Sequence, residues 1–475
     1  MKGAASLVAC GCAPRIFGFA ELGVPELVLG VISDIHVTTP DSTMRLERVL
    51  RFFRDRKVDA VMICGDLADW GLLSGLKYVA EAWERVFPGN KGSEGRATRR
   101  IFCTGNHDYE GWWYGDMTAE MHALGYDEDE ALASLGMKKC WEEVFQEDFA
   151  PVRKRTVNGF DFVSAEWHRH GNAPGCDKTA EWFAAHGDEL DPSKPFFFQI
   201  HMPPAETTAG SGVSELSRMV RNTLAAYPNA VAFSGHRHWT LNDERSIWQG
   251  DFTAVSVPSL SYTSLPKEHE NGNDVRDGTS TRSMPLLPAR FNLEEPQGLV
   301  VSIYRDRMEL ERYDFANFAH TAPTWEVPLP TNAGARPFAF EPRRRREPVP
   351  EFPANATLSL ATRNTNTRGG KWEVALVASF PAAKGVADAR VFDYEIRATL
   401  ADGSVSMTKR FLSPAFHKMK KDEPDNVLYW FNVLDLPQDA DYRLEVYPRN
   451  CFGDCGKPLV SPVRHGKPGG ADVKC

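Results

Sequence analysis

Apolar positions in the first 310 residues follow the periods of buried strands and amphipathic helices. Strand-like apolar runs fall at residues 27–35, 60–64 and 101–104, and an apolar stripe with helical spacing follows each of the first two runs. The first stripe predicts a helix over residues 42–57 and consists of Leu46, Val49, Leu50 and Phe53. This β–α–β–α–β order predicts parallel strands joined by helical crossovers.

An insertion and a long loop interrupt this pattern. Residues 109–160 are helix-prone, acidic and aromatic, and residues 263–296 are polar and contain glycine and aspartate. The remaining predicted elements are helices at 179–190 and 213–226 and strands at 196–200, 230–233, 247–256, 299–304 and 308–313. We therefore expect an α/β domain that ends near residue 325.

The helical period disappears beyond a proline- and arginine-rich stretch at residues 326–352. This stretch contains four consecutive arginines, at 343–346, and we interpret it as a linker whose charges are solvated. Short alternating segments then recur at residues 372–380, 392–400, 427–433 and 442–447. Their spacing predicts a small all-β sandwich over residues 353–475.

Composition excludes several classes of protein. The chain has 475 residues, of which 42% are hydrophobic and 25% are charged, an ordinary balance for a globular protein. Its formal net charge of −9 argues against broad nucleic-acid binding through phosphate neutralisation. No apolar run reaches the roughly 18 residues that a membrane helix needs. An anionic substrate would need local positive charge, and a bound metal ion is one source of it.

The N-terminus and the cysteines bear on the compartment. Residues 3–13 are small and apolar after Lys2, about the size of a signal h-region, and residues 7–10 resemble a lipoprotein cleavage box. Residues 1–24 also resemble the tail of a twin-arginine export signal, which implies a periplasmic or envelope protein; a terminus without targeting function is the alternative.

Nine cysteines are too few and odd in number for a disulfide scaffold. Cys64 and Cys103 end apolar runs and should be buried thiols, and the sequence leaves a disulfide between Cys451 and Cys455 open.

Five polar motifs stand directly after predicted strands. They are Asp34-Ile35-His36, Gly65-Asp66, Gly105-Asn106-His107-Asp108, His201 and Gly235-His236-Arg237-His238. Ligands gather outside the carboxyl ends of strands in an open α/β sheet, so the motifs can meet in one crevice. Asp, Asn and His side chains suit divalent Mn, Fe or Zn. Each motif alone is weak, but the five together predict a metal centre, and the glycines plausibly allow sharp turns before the ligands.

In this order the motifs resemble those of the calcineurin-like metallophosphoesterases, whose pattern is D-x-H, G-D-x-x, G-N-H-D/E, a strand-end H and G-H-x-H. The resemblance covers roughly residues 27–320 and implies a four-layer α-β-β-α sandwich over residues 25–325. It also implies two divalent metal ions. One ion would be held by Asp34, His36, Asp66 and His238, and the other by Asp66, Asn106, His201 and His236.

The same resemblance implies a hydrolase that acts on phosphoric mono- or diesters. A hydroxide generated at the metal pair would attack phosphorus. His107 would protonate the leaving group, and Asp108 would orient His107. Asp69 stands where purple acid phosphatases carry a tyrosine ligand, which argues against a tyrosinate-bound iron site. The alternative is a binding scaffold that keeps the fold without catalysis, disfavoured because every ligand position is filled.

Further side chains are candidates for substrate contact: Tyr109, Trp112, His168, Arg169, His170 and Arg237. Packing of the insertion explains Tyr109 and Trp112 equally well, and capping of its loop is the alternative for Arg237. In the C-terminal segment, Leu436-Pro437 followed by Tyr442 resembles the tyrosine corner of a fibronectin type III or immunoglobulin-like sandwich. We hypothesise that this domain contacts glycan or the cell envelope. The sequence does not specify the natural substrate, the native metals or the oligomeric state.

Overall fold

The computed structural model describes residues 23–110, 136–167, 169–170, 173–174, 177–264, 269, 296–331, 335–366, 372–385, 390–417 and 425–466. The strands before residue 330 are β1 (Leu27–Ile32), β2 (Ala60–Cys64), β3 (Arg99–Cys103), β4 (Val152–Val157), β5 (Phe160–Ala165), β6 (Arg169–His170), β7 (Ala173–Pro174), β8 (Phe196–Ile200), β9 (Ala230–Ser234), β10 (Ile247–Gln249), β11 (Thr253–Ser256), β12 (Gln297–Ile303), β13 (Arg307–Asp314) and β14 (Ala319–Pro328). The helices of this region are α1 (Thr43–Asp55), α2 (Leu73–Val86), α3 (His107–Glu110), α4 (Met137–Phe145), α5 (Asp177–His186) and α6 (Glu215–Leu224). In the described part of the chain, no helix combines the length and the hydropathy needed to cross a bilayer.

Two six-stranded sheets pack face to face at the centre of this region. Their strand orders are β14-β13-β12-β1-β2-β3 and β10-β11-β9-β8-β5-β4. Strands β1 to β3 are parallel to one another, and so are β5, β8, β9 and β11. Alternate side chains of these strands fill the space between the sheets, among them Leu29, Val31, Met62, Phe197 and Val231.

The other side chains of the same strands point outward and are covered by helices. Ile32, Val61 and Ile63 of the first sheet pack against α2 and against the apolar stripe of α1. Phe198 and Ala230 of the second sheet pack against α5 and α6. The layers are therefore helix, sheet, sheet and helix, and the predicted four-layer architecture is confirmed.

Several strands differ from the prediction, β4, β5 and β14 among them. β4 lies within the stretch predicted as a helical insertion and β5 follows that stretch; the two strands form an antiparallel hairpin, and β5 pairs with β8. The buried face of β4 is not apolar, because it includes Arg153, which is buried in an ion pair with Glu166. Apolar periodicity therefore does not identify this strand, since a buried charge counts as a polar position. β14 was missed because Pro323 interrupts it, and it lies at a sheet edge, where proline is tolerated.

Residues beyond 358 form two antiparallel sheets around a common core. Their strands are β15 (Ser359–Asn366), β16 (Trp372–Pro381), β17 (Asp393–Leu400), β18 (Val405–Leu412), β19 (Asn426–Asn432), β20 (Asp441–Arg449), β21 (Leu459–Val460) and β22 (Arg464–His465). The sheet orders are β15-β16-β19 and β18-β17-β20-β21, with β22 also paired to β20. Tyr394, Tyr429 and Leu444 lie in the core. The all-β architecture is confirmed, and its likeness to fibronectin type III domains stays a prediction.

The cysteines within the described ranges are free thiols. Cys64 and Cys103 are buried, as their positions at the ends of apolar runs predicted. In the loop after β20, Cys451 is buried and Cys455 is exposed, and no bond joins them. The small disulfide that the sequence left open is therefore not formed in the structure.

The arginine run between the two regions is anchored at one residue. Helix α7 (Phe340–Arg344) contains Arg343, which is buried, whereas residues 344–346 are exposed as expected. Arg343 and Arg312 both contact the Glu244 carboxylate, and Arg312 Nη1 lies 2.6 Å from Glu244 Oε1. Trp325 Nε1 donates to Glu244 Oε2 at 3.0 Å. The expectation of a fully solvated run is thus wrong for Arg343, because a distant carboxylate pairs with it.

Replacing Glu244 with Ala should strongly destabilise the protein, because two buried guanidinium groups lose their common carboxylate. We expect the free energy of unfolding in denaturant titrations to fall by about 3–5 kcal/mol. The exposed Glu341 offers a matched control, and Glu341→Ala should change stability by less than about 0.5 kcal/mol. Equal stability of the two variants would contradict the anchoring role of Glu244.

Candidate metal centre

Side chains of metal-ligand type follow five strand ends at one edge of the two sheets. In the first sheet they are Asp34, His36, Asp66 and Asn106, and in the second sheet they are His201, His236 and His238. They stand at the carboxyl ends of the parallel strands β1, β2, β3, β8 and β9. The structure brings together all seven residues that the sequence singled out as metal ligands.

One group of four side chains converges around Asp34. The ligand atoms of Asp34, His36, Asp66 and His238 all lie within 4.8 Å of one another. His238 Nε2 lies 2.9 Å from Asp34 Oδ1 and 3.3 Å from His36 Nε2. His36 Nε2 lies 3.8 Å from Asp66 Oδ2. All four side chains are buried, and their donor atoms point toward one another.

A second group converges on the Asn106 amide. Asn106 Oδ1 lies 3.1 Å from His201 Nε2 and 2.9 Å from His236 Nδ1. His201 Nε2 lies 3.1 Å from Asp66 Oδ2, so Asp66 contacts members of both groups. Two carboxylates, one amide and four imidazoles make a donor set of nitrogen and oxygen atoms that suits divalent metal ions. The cluster therefore fits a dinuclear metal site.

The carboxylates and imidazoles of the site influence each other's ionisation. Burial alone would raise the pKa of Asp34, but His238 and His201 outweigh it and hold that pKa at about 2. Burial opposes the ionisation of Asp66 in the same way, and His201 holds the Asp66 pKa well below its usual range. Burial would lower the pKa of His201, but Asp66 and Asp34 raise it to about 9. The ionised Asp66 and Asp34 carboxylates thus favour a proton on His201, and a cation that binds there must displace it. Burial outweighs the carboxylates at His238 and His236 and lowers the pKa of both imidazoles.

Most of these residues have a strained backbone. The φ angle is positive at Asp34 (50°), His36 (48°), Asp66 (51°), His236 (69°) and His238 (51°). Residues other than glycine rarely adopt this left-handed region, and each instance costs about 1–3 kcal/mol. Such strain persists only where the surrounding structure enforces it, as it does at many functional sites.

At the glycines that precede the ligand residues, a side chain would collide with other ligand residues of the site. Gly65 has a φ angle of 91°, so the expected sharp turn is present there. A Cβ atom at Gly105 would lie 2.2 Å from Asp66 Oδ1, and a Cβ atom at Gly235 would lie 1.9 Å from Ser33 Oγ and 2.4 Å from Asp34 Oδ2. Any side chain at these two positions would therefore push a carboxylate out of the site.

The carboxylate that orients His107 is that of Asp69. Asp69 Oδ1 is hydrogen-bonded to His107 Nδ1 and lies 3.5 Å from His36 Nδ1. The His107 and His36 rings meet edge to face, with their centroids 4.6 Å apart. Asp69 lies three residues after Asp66 in the same strand-end loop, which is the sequence signal that could have indicated it.

Asp108, expected to orient His107, has a different set of contacts. Its carboxylate accepts hydrogen bonds from the backbone N–H groups of Leu67, Ala68 and Gly105, at 3.2, 2.8 and 2.8 Å. Successive residues of a helical turn point in different directions, so His107 and Asp108 face different partners. Asp108 joins the loop after β2 to the loop after β3, and the expectation that it pairs with His107 is corrected.

Few of the candidates for substrate contact can be placed. Trp112 and His168 lie outside the described residues, as do the side chains of Arg169 and His170 in β6. Tyr109 packs beside the apolar cores of both outer layers, which favours a packing role.

Arg237 is the candidate with the clearest opportunity to bind an anion. It lies between His236 and His238, its side chain is half-buried, and its Nε has no hydrogen-bond partner. Burial lowers the pKa of its guanidinium. No carboxylate within the described ranges pairs with it. A partly desolvated guanidinium beside a cluster of metal-ligand atoms can donate to a phosphate oxygen.

Tyr262 supports the site and carries no signal in the sequence. His238 Nδ1 lies 3.0 Å from the Tyr262 carbonyl oxygen, and the two rings lie 4.1 Å apart between centroids. The Tyr262 ring also stacks on His36 at 5.6 Å. An aromatic residue at the start of a polar loop has no motif, so only the tertiary structure shows this contact.

The chain is similar to several known proteins. Residues 27–240 match the family model described as calcineurin-like phosphoesterase. No curated protein matches the chain. Similar solved structures include a dimetal phosphatase from Danio rerio, at 10% identity and a TM-score of 0.39, with 64% of this chain and 99% of that chain covered. Others are a protein of Thermus thermophilus (12% identity, TM-score 0.34, 61% and 99% covered) and GAP50, the anchor in the inner membrane complex of Plasmodium (13%, 0.37, 64% and 88%).

Replacing Gly235 with Ala should weaken metal binding, because the new methyl group displaces the Asp34 carboxylate. We expect the affinity for Mn²⁺, measured by titration of metal-free protein, to fall more than ~10-fold. Gly23→Ala is the control, since nothing lies within 4 Å of a Cβ atom at that position. Unchanged Mn²⁺ affinity in Gly235→Ala would show that the Asp34 position does not matter for metal binding.

Proposed function

Residues 27–240 form a calcineurin-like phosphoesterase domain, and from this premise we propose that the protein hydrolyses phosphate esters with two divalent metal ions. The observation that carries the proposal is the Asp66 carboxylate, which contacts members of two four-residue groups of metal-ligand side chains. The substrate class is a small-molecule phosphoric mono- or diester. The support for this class is that two metal ions held by these groups would recognise the phosphoryl group more than the leaving group.

The two ions, Mn, Fe or Zn, would be held by the two groups in the proposed assignment. The first group is Asp34, His36, Asp66 and His238, and the second is Asp66, Asn106, His201 and His236. When bound, the ions would supply positive charge for the phosphate oxygens and would lower the pKa of water toward neutrality. The chain orients two of its imidazoles for this: His201 Nδ1 and His238 Nδ1 lie 2.7 and 3.0 Å from backbone carbonyl oxygens, leaving Nε2 of each for a metal.

His107 would act as the general acid for the leaving group. Its Nδ1 is bound to the Asp69 carboxylate, which fixes the orientation of the ring. The proton for the leaving oxygen would then come from His107 Nε2. Asp69 is thus a positioning residue, and Asp108 contributes only through the loops it joins.

Arg237 would bind a non-bridging oxygen of the substrate phosphate. It lies between two ligand histidines in the chain, and its Nε, which has no hydrogen-bond partner, would donate to the anion.

The wider organisation is also part of the proposal. We divide the chain into an export-like segment at residues 1–24, the phosphoesterase domain at 25–325, a connection at 326–352 and a β-sandwich at 353–475. Export and a contact of the β-sandwich with glycan or the envelope both rest on resemblance alone.

Protein reconstituted with Mn²⁺ should release nitrophenol from mono- or bis-nitrophenyl phosphate. Asp66→Asn removes the charge that both groups share and should lower kcat/KM at least ~100-fold. Asp161→Asn, on the surface of β5, is the matched control and should keep full activity. Stoichiometric metal binding without turnover of either ester would favour a non-catalytic scaffold.

The acid role of His107 predicts a dependence on the leaving group. His107→Ala should lower kcat for alkyl phosphate esters about 10²-fold or more, with a much smaller loss for nitrophenyl esters, because only poor leaving groups need a proton. Asp69→Asn should show the same selective loss. Asp108→Asn should affect both classes of ester alike, because Asp108 holds loops. Equal losses for both esters in His107→Ala would overturn the acid role.

A further inference from the structure

The segment that follows the last two ligand histidines contacts the C-terminal β region, residues 359–466. Four residues after His238, Asn242 Nδ2 donates to the Phe416 carbonyl oxygen at 2.8 Å. Three residues further on, the Arg245 guanidinium lies 4.8 Å above the Phe392 ring. The chain therefore runs from the metal centre to the C-terminal region within one short loop.

A second segment joins the same two places. Tyr262, whose carbonyl oxygen is hydrogen-bonded to the ring of His238, lies seven residues before His269. His269 Nε2 lies 2.8 Å from Asp393 Oδ2, and the His269 ring meets the Phe392 ring edge to face at 5.5 Å. Both segments that position His238 thus end on two adjacent residues, Phe392 and Asp393.

This junction is buried. His269 is 3% exposed, Asp393 1% and Phe416 1%, and Asn242 is 5% exposed. Asp393 Oδ1 also lies 3.3 Å from Arg449 Nε on the neighbouring strand β20. Polar contacts without access to water are strong and costly to break, so the junction resists local opening.

His238 needs such support. Its backbone is in the left-handed region, which the surrounding structure must enforce. The orientation of a ligand imidazole is set by the partner of its other ring nitrogen, here the Tyr262 carbonyl. Small displacements of ligand side chains weaken a metal site, because its geometry must be held within about 0.5 Å.

We propose that the C-terminal β region, through a junction at Phe392 and Asp393, is a positioning element of the metal centre. It fixes the place of His238 and thereby sets the affinity of the metal group formed by Asp34, His36, Asp66 and His238. This inference rests on the proposed dinuclear function and adds a role for a region that otherwise carries no catalytic side chains.

The test uses the full chain and Mn²⁺ as the probe. In Asp393→Asn and in His269→Gln, competition titration with a chelator should show one of two Mn²⁺ equivalents bound about 10–100-fold more weakly. The other equivalent should stay within ~3-fold of the wild-type value, and saturating Mn²⁺ should restore most of kcat. Asp402→Asn is the control, because Asp402 is an exposed turn residue of the same β region.

Unchanged affinity for both equivalents, in variants whose amide exchange at residues 239–246 is faster than in the wild type, would overturn the inference. His269→Gln changes no side chain of the C-terminal core, so it keeps the test decisive where Asp393→Asn folds poorly. If the wild-type protein binds no Mn²⁺, the proposed function fails. If the wild-type protein binds Mn²⁺ and the variants bind both equivalents as tightly, only the junction inference fails.

Discussion

Two carboxylates buried at the junction of two sheets impose the constraint on which the rest of the structure depends. Asp34 and Asp66 are 0% and 1% exposed, and ions taken out of water lose solvation free energy that nearby groups must offset. Around them lie imidazoles and backbone N–H groups: the N–H of His236 donates to Asp34 and the N–H of His107 to Asp66. The proposed cations would complete this compensation.

The loops around the carboxylates are built to satisfy that requirement. Five residues of metal-ligand type have a left-handed backbone conformation. At Gly105 and Gly235 the absence of a side chain leaves space for the neighbouring carboxylates of Asp66 and Asp34. The loop after β3 is held on both sides: Asp108 accepts from backbone N–H groups, and Glu166 accepts from the N–H and hydroxyl of Thr104 at 2.8 and 2.9 Å. Arg153 in turn neutralises Glu166. Each of these contacts joins loops from different strands.

Support for the site extends beyond the phosphoesterase domain. Asp34, Asp66 and Asn106 follow strands of the first sheet, and α1 and α2 cover the outer face of that sheet. The segments around His238 and Tyr262 run toward the C-terminal β region, where Phe392 and Asp393 receive them. The anchoring of Arg343 by Glu244 secures the connection between the two regions at a second place. The C-terminal region is therefore joined to the α/β region by buried charges and aromatic contacts.

The sequence by itself determined the α/β and all-β regions and indicated that seven side chains of metal-ligand type would meet. Apolar periods are local, and strand ends of parallel sheets meet at one edge, so the positions of Asp34, Asp66 and His201 could be inferred without coordinates. Only the tertiary structure decided that Asp69 faces His107, that Asp108 joins two loops, that Gly105 clears the Asp66 carboxylate and that Tyr262 supports His238. Only the tertiary structure likewise showed the strands β4 and β14 and the burial of Arg343. These features depend on the direction of individual side chains and on partners far away in the chain, and neither is encoded in a local pattern.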